Sequence, residues 1–416
     1  MSENKHTMSD LYQMQSLPLS AKIRMTEYRI KQWIDEYGED GVYISFSGGK
    51  DSTVLLDIAR KIYPNLKAMF VDVPTQYPEL KEFVLTFTNV DIMKPNISFI
   101  EVCEKYGFPL ISKEVSESVY GARKYLTKLL KELNIDRQTD RQTDRQTDRQ
   151  QLPYKYFYER ITGTGKYGKI SDSLSNVDNE EEFVNLLNDR MKNRKGGNKQ
   201  NPVAMNAPSE NRNRYSLEKY KFFLEAPFEI SNRCCNVMKK NPAHLYHKQT
   251  GRNPIIATMA EESKLRTQKW LENGCNGFNL TIPTSNPMSF WTEQDVLAYI
   301  KEYHIPICSV YGDIVIDYKA EGHLEGQMRF DDLDPAKFGI FDLERPLYKT
   351  TGCSRTGCVL CGFGCHLEKE GEERFLRLKE THPKFHNLLN IAKNNGITYS
   401  EAIDWINEHG NMNIKY

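Results

Sequence analysis

The stretch SGGKDS, at residues 47–52, concentrates small, flexible and polar residues between two apolar runs. Residues 42–46 are typical of a short buried strand, and residues 53–59 carry the apolar face of a helix. Asp51 or Ser52 is expected to cap the start of that helix. A glycine-rich turn from a strand into a helix directs backbone N–H groups and the positive end of the helix dipole at one point. The stretch therefore predicts a binding site for a phosphate group.

Each residue type in this loop has an expected role. The backbone N–H groups of Gly48 and Gly49 are expected to cradle an oxyanion, and the hydroxyls of Ser47 and Ser52 to donate hydrogen bonds to it. Lys50 adds positive charge beside the anion. The spacing does not fit the G-x-x-x-x-G-K-[ST] phosphate loop, so this loop belongs to a different class.

A second group of reactive side chains lies near the C-terminus. Cys353, Cys358, Cys361 and Cys365 have the spacing C-x4-C-x2-C-x3-C. Thiolates at such spacing can hold zinc or an iron–sulfur cluster, and a redox C-x-x-C without metal is the alternative. Clustered cysteines in a chain without a signal region favour metal or redox chemistry over disulfides.

The remaining cysteines divide into two kinds. Cys234 and Cys235 form an adjacent pair upstream of the cluster. Cys103, Cys275 and Cys308 stand singly among apolar residues, and we predict that they are small core residues.

Composition limits the classes of partner. The 416 residues carry equal numbers of Lys+Arg and Asp+Glu, 56 each, so the formal net charge is zero and gives no general attraction to nucleic acid or membranes. No apolar run reaches the roughly 20 residues of a membrane span. The N-terminus lacks the apolar region of a signal peptide. We therefore expect a cytoplasmic protein with no membrane partner.

Elements with alternating helix and strand patterns must position these residues. The periodicities predict helices over 19–37 and 79–88, strands over 67–71, 95–102 and 254–259, and a helix that starts after Thr292 with Asp295 at its third position. Strands and helices in alternation predict an α/β fold with a parallel twisted sheet and flanking helices.

The same patterns predict the domain organisation. We expect a flexible N-terminus over 1–18, a nucleotide-binding α/β domain over 19–123 and 226–310, a polar insertion over 124–225, and a C-terminal segment with the cysteine cluster over 311–416. The insertion contains four copies of DRQT at 136–151, which have no apolar residue to bury, so we expect it to be partly disordered. It also includes a predicted helix over 179–192 and an Arg-, Lys- and Asn-rich stretch over 186–215.

Several motifs resemble those of the phosphoadenylyl sulfate (PAPS) reductase-like branch of PP-loop proteins, which are adenine nucleotide alpha hydrolase-like. The loop matches the SGGxDS signature, and DVPTQYPELKEF resembles a strand-end segment that reads D-T-G-x-x-x-P-E. NPMSFWTEQDVLAYI resembles N-P-x-x-x-W-T-x-x-D-V-x-x-Y-I, and Ser263 and Arg266 match the end of a Q-S-x-x-R loop. The matches run in order from residue 41 to about 368, without 124–225. The chain is identified as a member of this branch.

The resemblance implies an adenine nucleotide or adenylyl sulfate as substrate, with the loop serines and glycines, Ser263 and Arg266 as binding residues. It implies catalytic roles for Lys50, Asp51 and Asp72. It also implies a [4Fe–4S] cluster, with zinc as the alternative. The implied ligands are Cys234, Cys235, Cys358 and Cys361, with Cys353 and Cys365 as alternates.

Two features depart from the reductases in this branch. Reductases end with a catalytic cysteine in a C-terminal tail, whereas no cysteine follows Cys365 here. Ala260-Glu261-Glu262 replaces the arginine-rich part of the binding loop, and two carboxylates there repel a 3′-phosphate or sulfate. Both departures favour a relative that activates or transfers sulfur.

Three functions follow as hypotheses. The first is reduction of an adenylyl sulfate, with an electron-donor protein as partner. The second is ATP-dependent adenylyl or sulfur transfer to a nucleic acid, of the tRNA-thiolation or DNA-phosphorothioation type, with Mg²⁺ placed by Asp72, Glu261 or Glu262. The third is a nucleotide-binding module without turnover.

Overall fold

The computed structural model describes residues 5–116, 119–120, 220, 222–223, 226–317 and 346–416. Within the chain there are two compact units. Unit 1 comprises residues 1–96 and 237–359, and unit 2 comprises residues 97–236 and 360–416. The DRQT tract, the stretch 186–215 and the helix predicted over 179–192 lie outside the described residues.

The described strands are short. In chain order they are β1 (Val42–Ser45), β2 (Ala68–Val71), β3 (Val90–Met93), β4 (Leu110–Ile111), β5 (Asn253–Ile255), β6 (Asn276–Gly277), β7 (Thr284–Ser285), β8 (Ile314–Ile316), β9 (Tyr348–Thr350), β10 (Gly362–Phe363), β11 (Lys393–Asn394) and β12 (Ile397–Thr398).

Unit 1 is built on a six-stranded sheet with the order β3-β2-β1-β5-β7-β6. Its neighbouring strands are parallel except for β6, which runs antiparallel to β7. Ile44 of β1 lies opposite Ala68 of β2 on one side and Ile255 of β5 on the other. All three are completely buried, because parallel sheets are covered on both faces. The predicted α/β fold with a mostly parallel sheet is confirmed.

Helices cover this sheet. Those of unit 1 are Met8–Gln15, Leu19–Tyr37, Lys50–Ile62, Pro78–Leu85, Asn241–Thr250, Lys264–Asn273 and Glu293–Tyr303, with 3-10 turns at Glu39–Gly41, Ala260–Glu262 and Ser309–Tyr311. The predicted helix over 19–37 is confirmed, and it buries Ile30 and Trp33 against the sheet. The antiparallel pair β8–β9 also belongs to this unit.

The helix Glu293–Tyr303 begins as the sequence predicts. The Thr292 hydroxyl accepts a hydrogen bond from the Asp295 N–H at 3.3 Å, and the Asp295 carboxylate accepts one from the Thr292 N–H at 2.8 Å. The same carboxylate forms an ion pair with Lys22 Nζ at 2.7 Å, and both side chains are almost completely buried. This pair fixes the start of the helix against the helix Leu19–Tyr37.

Some predicted elements differ from the structure. Residues 95–102 do not form the third strand, because Ser98 and Glu101 form a capping box that starts the helix Phe99–Tyr106. The third strand is β3, at 90–93. The strand predicted over 254–259 ends at Ile255 and gives way to the turn Ala260–Glu262.

The N-terminus also differs from the prediction. Within the segment 1–18, expected to be flexible, Met8–Gln15 forms a helix that a Thr7–Asp10 capping box starts. Leu11 and Gln15 of this helix are buried, because the segment packs into the core of unit 1.

Unit 2 contains the helices Phe99–Tyr106, Arg233–Cys235, Arg374–Thr381, Pro383–His386, Leu388–Ile391 and Tyr399–Gly410 and the 3-10 turn Cys365–Leu367. The parallel pair β4–β10 and the hairpin β11–β12 belong to it. Its core includes Phe108 stacked on Tyr399, with ring centroids 4.8 Å apart. Residues 97–123, assigned from the sequence to the nucleotide-binding domain, belong to this unit, since the helix Phe99–Tyr106 packs on β11 and on the turn Arg233–Cys235. The π-helical turn Asn236–Lys240 contains the boundary at which unit 1 resumes.

None of the helices in the described part of the chain has the length and apolar character of a membrane span.

Candidate functional site

The SGGKDS loop connects β1 to the helix Lys50–Ile62 at the carboxyl end of the strand. Gly48 has a φ of 72°, in the left-handed region that favours glycine. A Cβ at this position would lie 2.9 Å from Cγ2 of Val84 and 3.2 Å from Cδ2 of Leu80. Both the backbone angle and the close approach of the helix Pro78–Leu85 therefore require glycine here.

The two loop serines hold the loop in shape. Ser52 Oγ accepts a hydrogen bond from the Ser47 N–H at 3.2 Å and donates one to the Gly49 carbonyl at 2.9 Å. Ser47 Oγ accepts from the Gly49 N–H at 3.3 Å and lies 3.0 Å from Ser52 Oγ. The helix begins at Lys50 after Gly49, with no side chain capping it, so the predicted cap by Asp51 or Ser52 is wrong. The serines close the loop instead, and no side chain of the loop caps the helix N-terminus.

Lys50 is the buried cation of the site. Its side chain is 3% exposed, and Nζ lies 3.1 Å from Oε1 of Glu293 and 3.6 Å from Oδ1 of Asp51. Nζ also donates a hydrogen bond to the Ser354 carbonyl at 3.0 Å. Burial alone would lower the pKa of Lys50, but the carboxylates of Asp51 and Glu293 outweigh it and the pKa is raised. The ammonium group is therefore charged at neutral pH.

Asp51 lies beside this cation with little access to water at one oxygen. Oδ1 is buried and has no hydrogen-bond donor among the described residues, although the side chain as a whole is 29% exposed. Burial raises the pKa of Asp51, and the nearby Lys50 opposes that rise.

The turn Ala260–Glu262 brings two carboxylates to the same region of unit 1. Oε1 of Glu261 accepts a hydrogen bond from the Glu293 N–H at 2.5 Å, at the start of the helix Glu293–Tyr303. Partial burial of the carboxyl group, with Glu293 and Asp295 nearby, raises the pKa of Glu261 to about 7. This side chain therefore changes charge near neutral pH.

The carboxylate of Glu262 lies close to two arginines. It forms an ion pair with Arg266, and Oε1 lies 4.0 Å from Nη1 of Arg355. Burial and the neighbouring Arg355 lower the pKa of Arg266. Ser263 caps the helix Lys264–Asn273 by accepting from the Arg266 N–H at 3.3 Å. The structure thus brings Arg266 into the charged network and gives Ser263 a hydrogen bond within its own turn.

Asp72 stands apart from this network. It follows β2, and its Oδ2 pairs with Lys81 Nζ at 2.8 Å. Its contacts in the described residues link it to Lys81 and to β3, through its N–H and the Met93 carbonyl, and not to Lys50.

Sequence reasoning missed residues that contact the loop. Tyr311 OH accepts a hydrogen bond from the Lys50 N–H at 3.1 Å and lies 2.7 Å from Oγ1 of Thr356. Glu293, which directly follows the capping Thr292, was also missed. The position of Glu293 beside a predicted helix start could have identified it as a candidate site residue. Tyr311 and Thr356 carry no such signal, because only the tertiary fold brings them to the loop.

The cysteines differ in burial. Cys234, Cys235, Cys358 and Cys361 are partly exposed, whereas Cys353 and Cys365 are buried. Cys353 Sγ donates to Tyr77 OH at 3.5 Å and Cys365 Sγ to the Gly362 carbonyl at 2.8 Å. Burial raises the pKa of Cys365 to about 12. Cys103, Cys275 and Cys308 are buried, as predicted for core residues.

No group of three or more His, Cys, Asp or Glu side chains among the described residues lies close enough together to bind a single metal ion. A cluster differs from a single ion because its thiolates bind separate irons and stand farther apart. Whether these cysteines suit an iron–sulfur cluster is therefore judged from the chemistry and burial of each thiol.

One comparison with known proteins identifies a family that matches the part of the chain containing the site. The family model for the phosphoadenosine phosphosulfate reductase domain matches residues 41–134 and 175–362, more than half of the chain. A comparison with curated proteins gives no match. The matched residues include the SGGKDS loop, the carboxylates around it, and the helices and the turn that carry those carboxylates. The chain belongs to the phosphoadenosine phosphosulfate reductase domain family.

Proposed function

We propose that this chain binds an adenine nucleotide at the SGGKDS loop and uses ATP for adenylyl or sulfur transfer, in preference to reducing an adenylyl sulfate. Membership of the family supports a PP-loop nucleotide site and a role in sulfur metabolism. The observation that favours transfer is the charge around the loop. Glu262 pairs with Arg266 and faces Arg355, while Glu293 pairs with Lys50.

This charge distribution disfavours a nucleotide that carries a 3′-phosphate or a sulfate without a bound metal cation. Each of these three cations already faces a carboxylate, so a 3′-phosphate or a sulfate would have to displace one of them. Carboxylates beside a phosphate loop instead suit a nucleotide that carries Mg²⁺, which binds one or two carboxylates together with substrate phosphates. Asp51 and Glu261 are the nearest candidates, whereas Asp72 is paired with Lys81.

The side chains at the loop have defined roles in this proposal. The N-terminus of the helix Lys50–Ile62 faces the phosphates and favours negative charge. The Lys50 ammonium stabilises the charge that develops on the phosphoryl group during transfer, because it is buried and already positioned. Glu293 positions that ammonium group.

The acceptor in this proposal is a nucleic acid or another sulfur acceptor. An anaerobic assay with radiolabelled ATP or radiolabelled adenylyl sulfate separates the functions. Release of pyrophosphate from ATP supports transfer. Release of sulfite from adenylyl sulfate supports reduction with an electron-donor partner and overturns the preference for transfer. Binding of either nucleotide without a product supports a module without turnover.

We propose further that the chain carries a [4Fe–4S] cluster on Cys234, Cys235, Cys358 and Cys361. These four thiols are partly exposed, whereas Cys353 and Cys365 are buried. Thiolate ligands fit both iron–sulfur clusters and zinc. When bound, the cluster would supply electron transfer or an iron site for sulfur.

Metal analysis tests this assignment without an activity assay. Anaerobically purified protein should be brown and contain iron and acid-labile sulfide. The pair Cys234→Ser, Cys235→Ser should remove the iron, while the matched pair Cys353→Ser, Cys365→Ser should retain it. A colourless protein with stoichiometric zinc would refute the cluster. If Cys353→Ser, Cys365→Ser removes the iron and Cys234→Ser, Cys235→Ser retains it, the ligands are instead Cys353, Cys358, Cys361 and Cys365.

A further inference from the structure

Three hydroxyl groups converge on the α-carbon of Gly49. A Cβ built at Gly49 would lie 3.2 Å from Ser47 Oγ, 3.3 Å from Thr356 Oγ1 and 3.3 Å from Tyr311 OH. Ser47 belongs to the loop, but Tyr311 and Thr356 come from distant parts of unit 1. The absence of a side chain at Gly49 therefore lets three hydroxyls approach the backbone closely next to the start of the helix Lys50–Ile62.

Tyr311 is firmly placed in this cluster. It is 2% exposed, and its ring packs with Leu80 and Cys308 in a small apolar core. Its OH accepts the hydrogen bond of the Lys50 N–H, which is one of the donors that a helix N-terminus offers to an anion. Burial raises the pKa of Tyr311, so the hydroxyl keeps its proton at neutral pH.

The hydrogen bonds in this cluster leave one proton over. Tyr311 and Thr356 each have one hydroxyl proton, and the 2.7 Å bond between them uses only one. Whichever hydroxyl donates in that bond, the proton of the other has no acceptor among the described residues. The pair thus presents a hydrogen-bond donor beside the phosphate loop.

We propose that Tyr311 and Thr356 are specificity-determining residues that donate this hydrogen bond to an oxygen of the phosphoryl group bound at the SGGKDS loop. The proposal rests on the proposed nucleotide binding and adds two residues to the site. The hydrogen bond from the Lys50 N–H holds the Tyr311 oxygen in place. The hydrogen bond between Tyr311 and Thr356 uses one of their two hydroxyl protons, so the other is left to donate to the phosphoryl oxygen. Substrates with a phosphoryl oxygen at this point gain the bond, and a nucleoside without phosphate does not.

A different role for Tyr311 predicts the opposite result. If its hydroxyl only occupies the Lys50 N–H until an anion displaces it, removing the hydroxyl removes a competitor and binding becomes tighter. A donor role predicts weaker binding. Tyr311→Phe keeps the ring in the apolar core and changes only the hydroxyl, so the direction of the change distinguishes the two roles.

The experiment is isothermal titration calorimetry of the full chain with inorganic pyrophosphate and with ATP. A single hydroxyl left alone keeps its proton, so the double variant Tyr311→Phe, Thr356→Val should bind both ligands about tenfold to a hundredfold more weakly, the loss typical of a hydrogen bond to a charged group, and each single variant should lose less. Thr356→Ser keeps the hydroxyl and should bind as the wild type does. Circular dichroism checks that each variant is folded, and Thr356→Val decides the question if Tyr311→Phe does not fold, because Thr356 is partly exposed.

The outcomes separate this proposal from the proposed function. Unchanged or tighter binding by the folded double variant Tyr311→Phe, Thr356→Val, with normal binding by the wild type, overturns the donor role alone. Equal losses in Thr356→Ser and Thr356→Val also overturn it, since the hydroxyl is then not the cause. No binding of ATP or pyrophosphate by the wild type overturns the proposed function and this inference with it.

Discussion

Replacing Gly48 with alanine should destabilise unit 1 more than the same change at Gly49. At Gly48 the backbone is left-handed, and the new methyl group would lie 2.9 Å from Cγ2 of Val84. At Gly49 φ is −75° and ψ is 156°, a conformation that any residue adopts, and the nearest atom lies at 3.2 Å. The two adjacent glycines thus form a matched pair.

The magnitude follows from two contributions at Gly48. The left-handed conformation costs an L-residue about 1–2 kcal/mol. Inserting a methyl group into well-packed surroundings costs about 1–3 kcal/mol more. We therefore expect Gly48→Ala to lower the free energy of unfolding by about 2–5 kcal/mol. For Gly49→Ala we expect a smaller loss, of about 1 kcal/mol, because the backbone is unstrained but the methyl group meets three hydroxyls at 3.2–3.3 Å.

Urea unfolding followed by tryptophan fluorescence measures this difference. Three of the four tryptophans, Trp33, Trp270 and Trp291, are buried in unit 1, so the signal reports mainly on that unit. The loss caused by Gly48→Ala should be smaller when it is measured in a Val84→Ala background, because Val84→Ala removes the methyl group at 2.9 Å. Equal unfolding free energies for Gly48→Ala and Gly49→Ala would refute the reasoning.

Other predictions concern charge and buried hydrogen bonds. Because the pKa of Glu261 is about 7, this carboxyl is mostly neutral at pH 6 and charged at pH 8, so ATP with Mg²⁺ should bind more tightly at pH 8, where the carboxylate can bind the metal. Glu261→Gln should flatten that dependence in calorimetric titrations, and parallel pH profiles for the two proteins would contradict it; protonation of ATP itself is common to both. Lys22→Met leaves the buried Asp295 carboxylate without its cation and should lower the urea unfolding free energy by about 3–5 kcal/mol, whereas a loss within error would show that the pair is dispensable. In unit 2, Asn394→Ala removes hydrogen bonds to the Cys103 and Glu104 carbonyls and from the Glu229 N–H, at a cost of about 2–4 kcal/mol. Thermal unfolding followed by circular dichroism should show a lower midpoint for Asn394→Ala, and an unchanged midpoint would contradict it.

Local sequence predicted those parts of the fold that local interactions determine. The loop, the helix Lys50–Ile62 and the capped helix Glu293–Tyr303 all have their signals within a few residues. The third strand was missed because β3 is an edge strand with little buried apolar surface. Its apolar neighbours at 95–102 have a strand-like composition, but the capping box at Ser98 makes them helical.

The site followed the same division. Residues of the SGGKDS loop were predictable from a motif six residues long. The hydroxyls of Tyr311 and Thr356 were not, because no spacing in the sequence relates them to Lys50 and only packing in unit 1 brings them together. The ion pair of Glu262 with Arg266 shows an intermediate case. The two carboxylates at 261 and 262 indicated, from their residue types alone, repulsion of an anionic substrate. The structure adds that the carboxylate of Glu262 forms an ion pair with Arg266.

The register of β1 sets an order of events during synthesis. Val42 pairs with Asn253, so the central strand of the sheet has only β2 beside it until β5 has left the ribosome. In that interval the nascent chain presents the unpaired edge of a strand whose residues Val42, Tyr43 and Ile44 are buried in the folded protein, a feature that promotes aggregation and recruits chaperones. Pairing across so long a stretch also slows folding. Ribosome-bound chains that end before residue 253 should therefore be protease-sensitive around β1, and chains that extend past residue 285 should be protected there.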